Sequence, residues 1–384
     1  MTAPGPQPRV LIVENGMTVT GGYRSIIAAA ERERSQFDFH FVLPSGSALT
    51  GLIRAAGFGA DELPFVELGR SVRRLLLYGP LLVLNGWRLA RIARRLGATV
   101  LHSNDLFNLT PYVARGLLLT GPRPRLVTHV RLLAASFSGP FYPFWCWCAR
   151  RFADRIVCVS EAVRQGAFAD EPKAVVIYEP LRADAERHPP KTFRAADPAP
   201  GSATCPLRVV CVGNYIAGKG HATALTGFER AYSQNPNLRL DFYGGTMNLA
   251  KNEELLTELR TRVAAQRLTE VVAFHPFATD VEALMKAYDV VLNCSEAESF
   301  SLVCFEALQF GVPLIATDCG GPRELFEDEK SGFLVPVRDA NAVADRLLRL
   351  AADPALLARF SAAGRKYVQQ KFGQHDRTAN IWRF

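Results

Sequence analysis

The chain is poor in everything that marks a membrane-spanning or disulfide-built protein. No run of about 18 uninterrupted apolar residues occurs, which excludes a hydrophobic helix long enough to cross a bilayer. The longest candidate, Leu75 to Leu84, is interrupted by Gly79 and Pro80. Eight cysteines are scattered over 384 residues, a usage that fits reduced, mostly buried thiols. Only Cys146 and Cys148 stand close together. Met1 to Pro8 is polar and Pro-rich, unlike a signal peptide, so a cytoplasmic location is expected. There is no HExxH and no spaced Cys/His set, and the acids of Phe326 to Lys330 read as a solvated turn; no metal and no other cofactor is expected. No Ser-His-Asp arrangement can be argued. No aromatic–basic motif supports nucleic-acid binding, and low-complexity tracts and short repeats are lacking.

What is present is a long, ordinary globular composition: 48% hydrophobic, 21% charged, net charge +8. Such a length suggests two domains, and the charge favours an anionic partner without choosing one. Short β-branched runs alternate with segments of helical period. Arg9 to Glu14, Phe37 to Leu43, Thr99 to Ser103, Leu126 to Val130, Ile156 to Val159 and Val175 to Ile177 read as buried strands. Tyr23 to Arg34 and Trp87 to Leu96 read as helices between them. The rhythm stops over Arg182 to Pro206, rich in Pro, Ala and charge. It resumes with Leu207 to Val212, Leu238 to Tyr243, Val271 to His275, Val290 to Asn293 and Leu314 to Thr317. The reading is α/β: two doubly wound, Rossmann-like domains with parallel sheets, residues 1–185 and 207–371, joined by a linker at 186–206. Ligands of such sheets bind beyond the carboxyl ends of the strands, so a cleft faced by both sets of strand ends is the expected site.

Three loops at strand ends carry the chemistry. After Val290 to Asn293, the turn Ser295 to Ser301 enters a helix that runs through Glu306 to Phe310. Amides at such a helix start form an anion site. Glu298 and Glu306, with seven residues between them, suit two hydroxyl-bearing parts of one ligand. The same spacing equally describes a first-turn acid plus a solvated glutamate. After Leu207 to Val212, Gly213-Asn214-Tyr-Ile-Ala-Gly-Lys219-Gly220 is a glycine turn with one lysine at a helix start. It suits a diphosphate, which needs a cation where charge builds; an exposed lysine without a role looks the same. After Arg9 to Glu14, the pair Gly21-Gly22 lets backbone approach a phosphate, or simply turns. His129 ends Leu126 to Val130 and is followed by Arg131; a lone strand-end histidine also describes a satisfied structural residue.

Glu298-Ser-Phe-Ser-Leu-Val-Cys-Phe-Glu306, then Gly311-Val-Pro, then Gly320-Gly321-Pro-Arg-Glu324, resembles the Glu-x7-Glu signature of retaining glycosyltransferase family 4. The resemblance implies the GT-B fold, with acceptor contacts mainly in the first domain and donor contacts mainly in the second. It implies a nucleoside-diphosphate-sugar donor and metal-independent transfer. Glu306 is then expected on the ribose, Glu298 on the transferred sugar, and the amides of Ser299, Phe300, Ser301 and Leu302 on diphosphate and sugar. Gly213, Lys219 and the pair Gly21 and Gly22 are expected on the donor phosphates, and His129 near the sugar. The final segment, 372–384, is expected to pack back on the first domain. Two departures stand out. Ser301 replaces a frequent glycine, and Asn214 occupies the position of an arginine, whose charge Arg131 is a candidate to supply. A GT-B sugar-nucleotide epimerase and an inactive nucleotide-binding relative remain as alternatives. The sequence names neither base, sugar nor acceptor.

Trp87 to Leu96 places Leu89, Ile92, Ala93 and Leu96 on one helical face and Arg88, Arg91, Arg94 and Arg95 opposite. With Arg70, Arg73, Arg74 and the aromatic run Phe137 to Trp147, this suits peripheral contact with an anionic membrane surface. A solvated helix covering a sheet has the same pattern.

Overall fold

The computed structural model describes residues 7–65, 72–134, 141–179, 191, 193, 200–202, 204–278, 280–378 and 381–384, side chains of 72–76 and 374–378 excepted. Arg70, Phe137 to Pro140 and Thr279 lie outside that set, as does most of the expected linker, and the side chains of Arg73 and Arg74 with them. The chain forms two compact units, Met1–Glu179 with Ala379–Phe384, and Pro180–Thr378.

The first unit runs β1 (Arg9–Val13), α1 (Gly21–Glu33), β2 (Asp38–Pro44), α2 (Leu49–Ala55), β3 (Gly59–Leu63), α3 (Val72–Leu96), β4 (Val100–Ser103), α4 (Thr110–Leu117), β5 (Arg125–Val130), α5 (Phe141–Phe152), β6 (Arg155–Cys158), α6 (Glu161–Phe168) and β7 (Ala174–Val176). Its strands are parallel, in the order β3-β2-β1-β4-β5-β6-β7. Because strand side chains alternate, Val10 and Ile12 feed one core while Leu11 and Val13 feed the other. Both faces are thus covered, the reason the strand reads as one continuous apolar run. Thr20 and Ser160 cap α1 and α6 through their hydroxyls.

The second unit runs β8 (Leu207–Val212), α7 (His221–Tyr232), β9 (Leu238–Tyr243), α8 (Ala250–Ala265), β10 (Val272–His275), α9 (Val281–Ala287), β11 (Val290–Asn293), α10 (Leu302–Gln309), β12 (Leu314–Thr317), β13 (Phe333–Val335), α11 (Ala340–Ala352) and α12 (Pro354–Thr378). The sheet order is β10-β9-β8-β11-β12-β13, again parallel.

Two elements differ from the sequence reading. β3 is an edge strand of sequence GADEL with little burial, so it shows no apolar pattern. α3 begins at Val72 and continues through Pro80, where the sequence suggested a break. A proline inside a helix forfeits one hydrogen bond, and the apolar face of Leu89, Ala90 and Ala93 seated in the core holds the helix nonetheless. Within the span expected as linker, Lys191 donates from Nζ to Asp289 Oδ1 at 2.8 Å, and Phe193 packs on the second core. In the terminal segment, Phe372 packs edge-on against Phe300 and Phe305 in the second unit. Ile381 and Trp382 join the core of the first unit.

Candidate functional site

In each sheet the chain winds outward from a central pair, β1/β4 in the first and β8/β11 in the second. A crevice opens beyond the carboxyl ends of such a pair. The predicted residues gather at these two places.

In the second unit, backbone contacts fix the loops first. Gly213 N–H donates to Tyr243 O at 2.8 Å. After β8 a short 3-10 turn, Ala217–Lys219, ends on Gly220, whose φ of 69° is left-handed. A Cβ on Gly220 would lie 1.8 Å from the carbonyl oxygen of Cys294, so only glycine lets the β8 and β11 loops meet. Glu296 N–H donates to Gly218 O across the same seam. Glu298 is pinned from the other side: its N–H donates to Cys319 O, and Gly321 N–H donates to its carbonyl at 2.7 Å. A Cβ on Gly321 would fall 2.4 Å from Phe300 Cα.

Held this way, Lys219 Nζ donates to Glu298 Oε1 at 2.7 Å, and Ser295 Oγ donates to the same oxygen at 2.8 Å. The carboxylate is largely shielded and the ammonium about one-third exposed, so the cation stays reachable. The start of α10 is built by Ser301 in the left-handed region (φ 74°). Its Oγ accepts from Cys304 N–H and from Asn293 Nδ2 at 2.9 Å. Asn293 Oδ1 accepts from Ser295 N–H at 3.0 Å. The serine that stands for glycine therefore keeps glycine's backbone, braced by an asparagine that the sequence reading passed over. Ser299, Phe300 and Leu302 complete this corner, with Phe300 buried and Glu306 partly exposed on α10.

Asn214 brings no charge. Its Oδ1 accepts from Gly245 N–H at 3.2 Å, stitching the β8 loop to the β9 loop. His221 was also missed: its Nε2–H donates to Gly213 O at 3.3 Å. Burial pushes this imidazole down to about 4, opposed by that hydrogen bond and helped by nearby Lys219. His221 follows no periodic pattern; only its place beside the glycine turn hints at it.

In the first unit, Gly21 and Gly22 open α1 behind the Thr20 cap. The stem of Arg131 lies against Gly22, its Cδ 3.3 Å from where a Cβ would sit. Arg131 is engaged within the first unit. Its guanidinium donates to Asn104 Oδ1, Ser25 Oγ and Glu179 Oε1, at 3.1, 2.9 and 3.0 Å. The pair with Glu179 is nearly buried. Arg131 Nη2 also lies 3.2 Å from His129 Nδ1. Guanidinium only donates, so Nδ1 accepts and the ring proton sits on Nε2. Burial, then the Arg131 charge, hold His129 well below its ordinary pKa. Its Nε2 has no partner among the described residues. Next to it, His102 Nδ1 accepts from Trp382 Nε1 at 2.8 Å.

The eight cysteines are free. Burial raises the Cys146 and Cys148 thiols and takes Cys211 to about 12, the reverse of a reactive or metal-binding thiolate. Among the described residues no three His, Cys, Asp or Glu converge as a metal cage.

Known proteins align with both units. The family described as Glycosyltransferase Family 4 matches residues 26–181, and Glycosyl transferases group 1 matches 194–367. A lipopolysaccharide core biosynthesis glycosyltransferase, LpsD of Rhizobium meliloti, is 30% identical over 47% of this chain and 52% of its own. A D-inositol 3-phosphate glycosyltransferase of Streptomyces bingchenggensis is 32% identical over 58% of this chain and 50% of its own. The chain thus spans about half the length of these curated relatives in the matched regions. Among solved structures, Anabaena Alr3699/HepE in complex with UDP superposes with a TM-score of 0.77 at 19% identity, covering 96% of this chain and 97% of that one. A sucrose-phosphate synthase from Thermosynechococcus elongatus superposes with a TM-score of 0.71 at 19% identity, over 96% of this chain and 95% of its own. With one glycosyltransferase family match on each unit and these folds over nearly its whole length, the chain has the GT-B fold and is similar to glycosyltransferases in both units.

Proposed function

We propose that the protein is a retaining glycosyltransferase that moves a sugar from a nucleoside-diphosphate sugar to an acceptor hydroxyl without a metal ion. The observation that carries this reading is the Lys219–Glu298 pair, set at the switch point of the second sheet beside the start of α10. A diphosphate entering there takes the Lys219 ammonium and frees Glu298 to face the sugar. Glu306 receives the ribose hydroxyls, and the first amides of α10 meet the phosphate end, where a helix favours negative charge. In the transfer the anomeric C–O bond to the diphosphate breaks and a bond to the acceptor oxygen forms on the same face. The acceptor proton passes to the departing phosphate oxygen. Lys219 offsets the charge that builds on that leaving group. His129, neutral and protonated at Nε2, is assigned hydrogen bonding to the sugar rather than proton transfer.

Uridine is the base to try first, because HepE was solved with UDP and with UDP-glucose. Acceptors with hydroxyl groups are supported by the relatives that act on D-inositol 3-phosphate and in lipopolysaccharide core biosynthesis. The reading is tested by nucleotide release from sugar donors, followed with and without EDTA. Lys219→Ala is expected to lower turnover by about 10²–10³-fold, the cost of one electrostatic donor, with EDTA without effect. Turnover of the variant within about twofold of wild type would remove Lys219 from the mechanism. Asn214 keeps a second reading in view, since a charge is replaced there by a backbone staple: a relative that binds nucleotide and never releases it from sugar.

A further inference from the structure

α5 exposes the wrong side chains for a helix in water. Its inner face seats Trp145, Cys146, Cys148 and Ala149. Phe141, Phe144 and Trp147, spaced three apart along its outer face, are 45%, 48% and 53% exposed. Trp147 is flanked by Phe144 and Phe152, with ring centroids at 6.1 and 5.7 Å. α3 repeats the arrangement. Leu77, Leu84 and Trp87 stand on its exposed stripe, and Arg91, Arg94 and Arg95 continue it. An open groove of about 910 Å³ lies between α3, α4 and α5. It is walled by Leu82, Phe144 and Trp147 and bordered by Arg123, Arg125 and Arg151.

The charge on this part of the chain says what covers it. From Leu68 to Ala153 the sequence holds thirteen arginines, no lysine and one acid, Asp105, while the whole chain is only +8. The remainder is therefore net negative, and of this surplus Arg91, Arg94, Arg95, Arg123, Arg125 and Arg151 are exposed on the elements that carry the aromatics or at the groove rim. The one acid in the groove, Asp154, is already bonded to Arg115 at 2.9 Å. Protein partners bring carboxylates and apolar side chains in mixed patches. A groove of cationic surplus, its one acid already paired, rimmed by aromatic rings, matches the headgroup layer of an anionic bilayer. Among the described residues no helix is long and apolar enough to cross a membrane, so the contact is one of lying on the surface.

We propose that this face of the first unit docks on anionic phospholipid membranes, Phe144 and Trp147 inserting at headgroup depth while the groove arginines pair with lipid phosphates. The proposal needs no assumption about donor or acceptor, so its failure would leave the transferase reading standing. It is tested by sedimenting the full chain with vesicles of phosphatidylcholine alone and of phosphatidylcholine mixed with phosphatidylglycerol. Binding is expected to the mixed vesicles only, and to fall when salt rises from about 0.1 M to about 1 M, as the screening length shrinks from about 10 to about 3 Å. Each arginine near the surface is worth about fivefold in partitioning, so Arg123→Glu with Arg151→Glu is expected to weaken binding at least tenfold. Phe144→Ser with Trp147→Ser should weaken it in a way that low salt does not restore. Thermal melts of both double variants, expected to follow wild type, separate lost docking from lost folding. Equal sedimentation with neutral vesicles, no sedimentation with anionic ones, or folded variants that bind like wild type each overturn the proposal.

Discussion

At the scale of the residue, the second unit's crevice rests on an asparagine. Ser301 occupies the left-handed region, which costs a non-glycine residue of order 1–2 kcal/mol. Asn293 holds it there from Nδ2, while its Oδ1 satisfies the amide of Ser295, itself buried. Asn293→Ala removes the brace and strands that amide, so a loss of about 2–4 kcal/mol is expected. In a melt this appears as a fall of roughly 5 °C or more, and Asn293→Asp, which keeps the acceptor for Ser295, should lose less. A melt of Asn293→Ala within a degree of wild type would mean that the loop holds itself. Lys219 and Glu298 were legible because a lone lysine in a glycine turn and an acid at a strand end are patterns. Asn293, His221 and the Arg131–Glu179 pair were not. Each satisfies a neighbour that is distant in sequence, and polar bracing has no period.

At the scale of the element, the glycine that welds the β8 loop to the β11 loop decides whether the crevice forms. Gly220 faces the Cys294 carbonyl with no room for a Cβ, in a backbone region that also penalises one. Gly218, two residues earlier, has open space around its Cβ direction. Gly220→Ala is therefore expected to destabilise by about 3 kcal/mol or more or to give no soluble protein. Gly218→Ala should change stability by less than about 1 kcal/mol. Denaturant melts of the two variants compare them directly, and equal effects would refute the close-approach account. Most strands were legible because they are buried on both sides and read as apolar runs. β3 and β13 escaped for opposite reasons: β3 is a polar edge, and β13 is three residues long. α3 was read short because Gly79 and Pro80 signal a stop, which its apolar face overrides.

At the scale of the whole molecule, both units carry buried neutral histidines. Burial, then the Arg131 charge, lowers His102 to about 3 and His129 well below its ordinary value; burial takes His221 to about 4. Unfolded histidines protonate below about pH 6.5, whereas these stay neutral in the fold. The unfolded chain then binds more protons, so stability falls as pH drops below that value. Each such group contributes at most about 1.4 kcal/mol per pH unit. Melts at pH 7 and pH 5 should thus differ by a few kcal/mol in favour of pH 7, and a chain equally stable at both would contradict the neutral assignment.

The two-unit plan is readable from the alternation of strand and helix alone, and the stretch from Glu298 to Glu306 carries the resemblance. The central claim is a donor site in the second unit, and binding tests it before any acceptor is known. A thermal-shift panel of UDP, GDP, ADP and dTDP with their sugar conjugates, on wild type and on Glu306→Ala, is the most direct measurement. A ligand at about 100 times its dissociation constant adds about 2.7 kcal/mol to stability. The expected result is that one nucleotide class, uridine first, stabilises wild type and fails to stabilise the variant. No shift with any nucleotide, or equal shifts in both proteins, would contradict it.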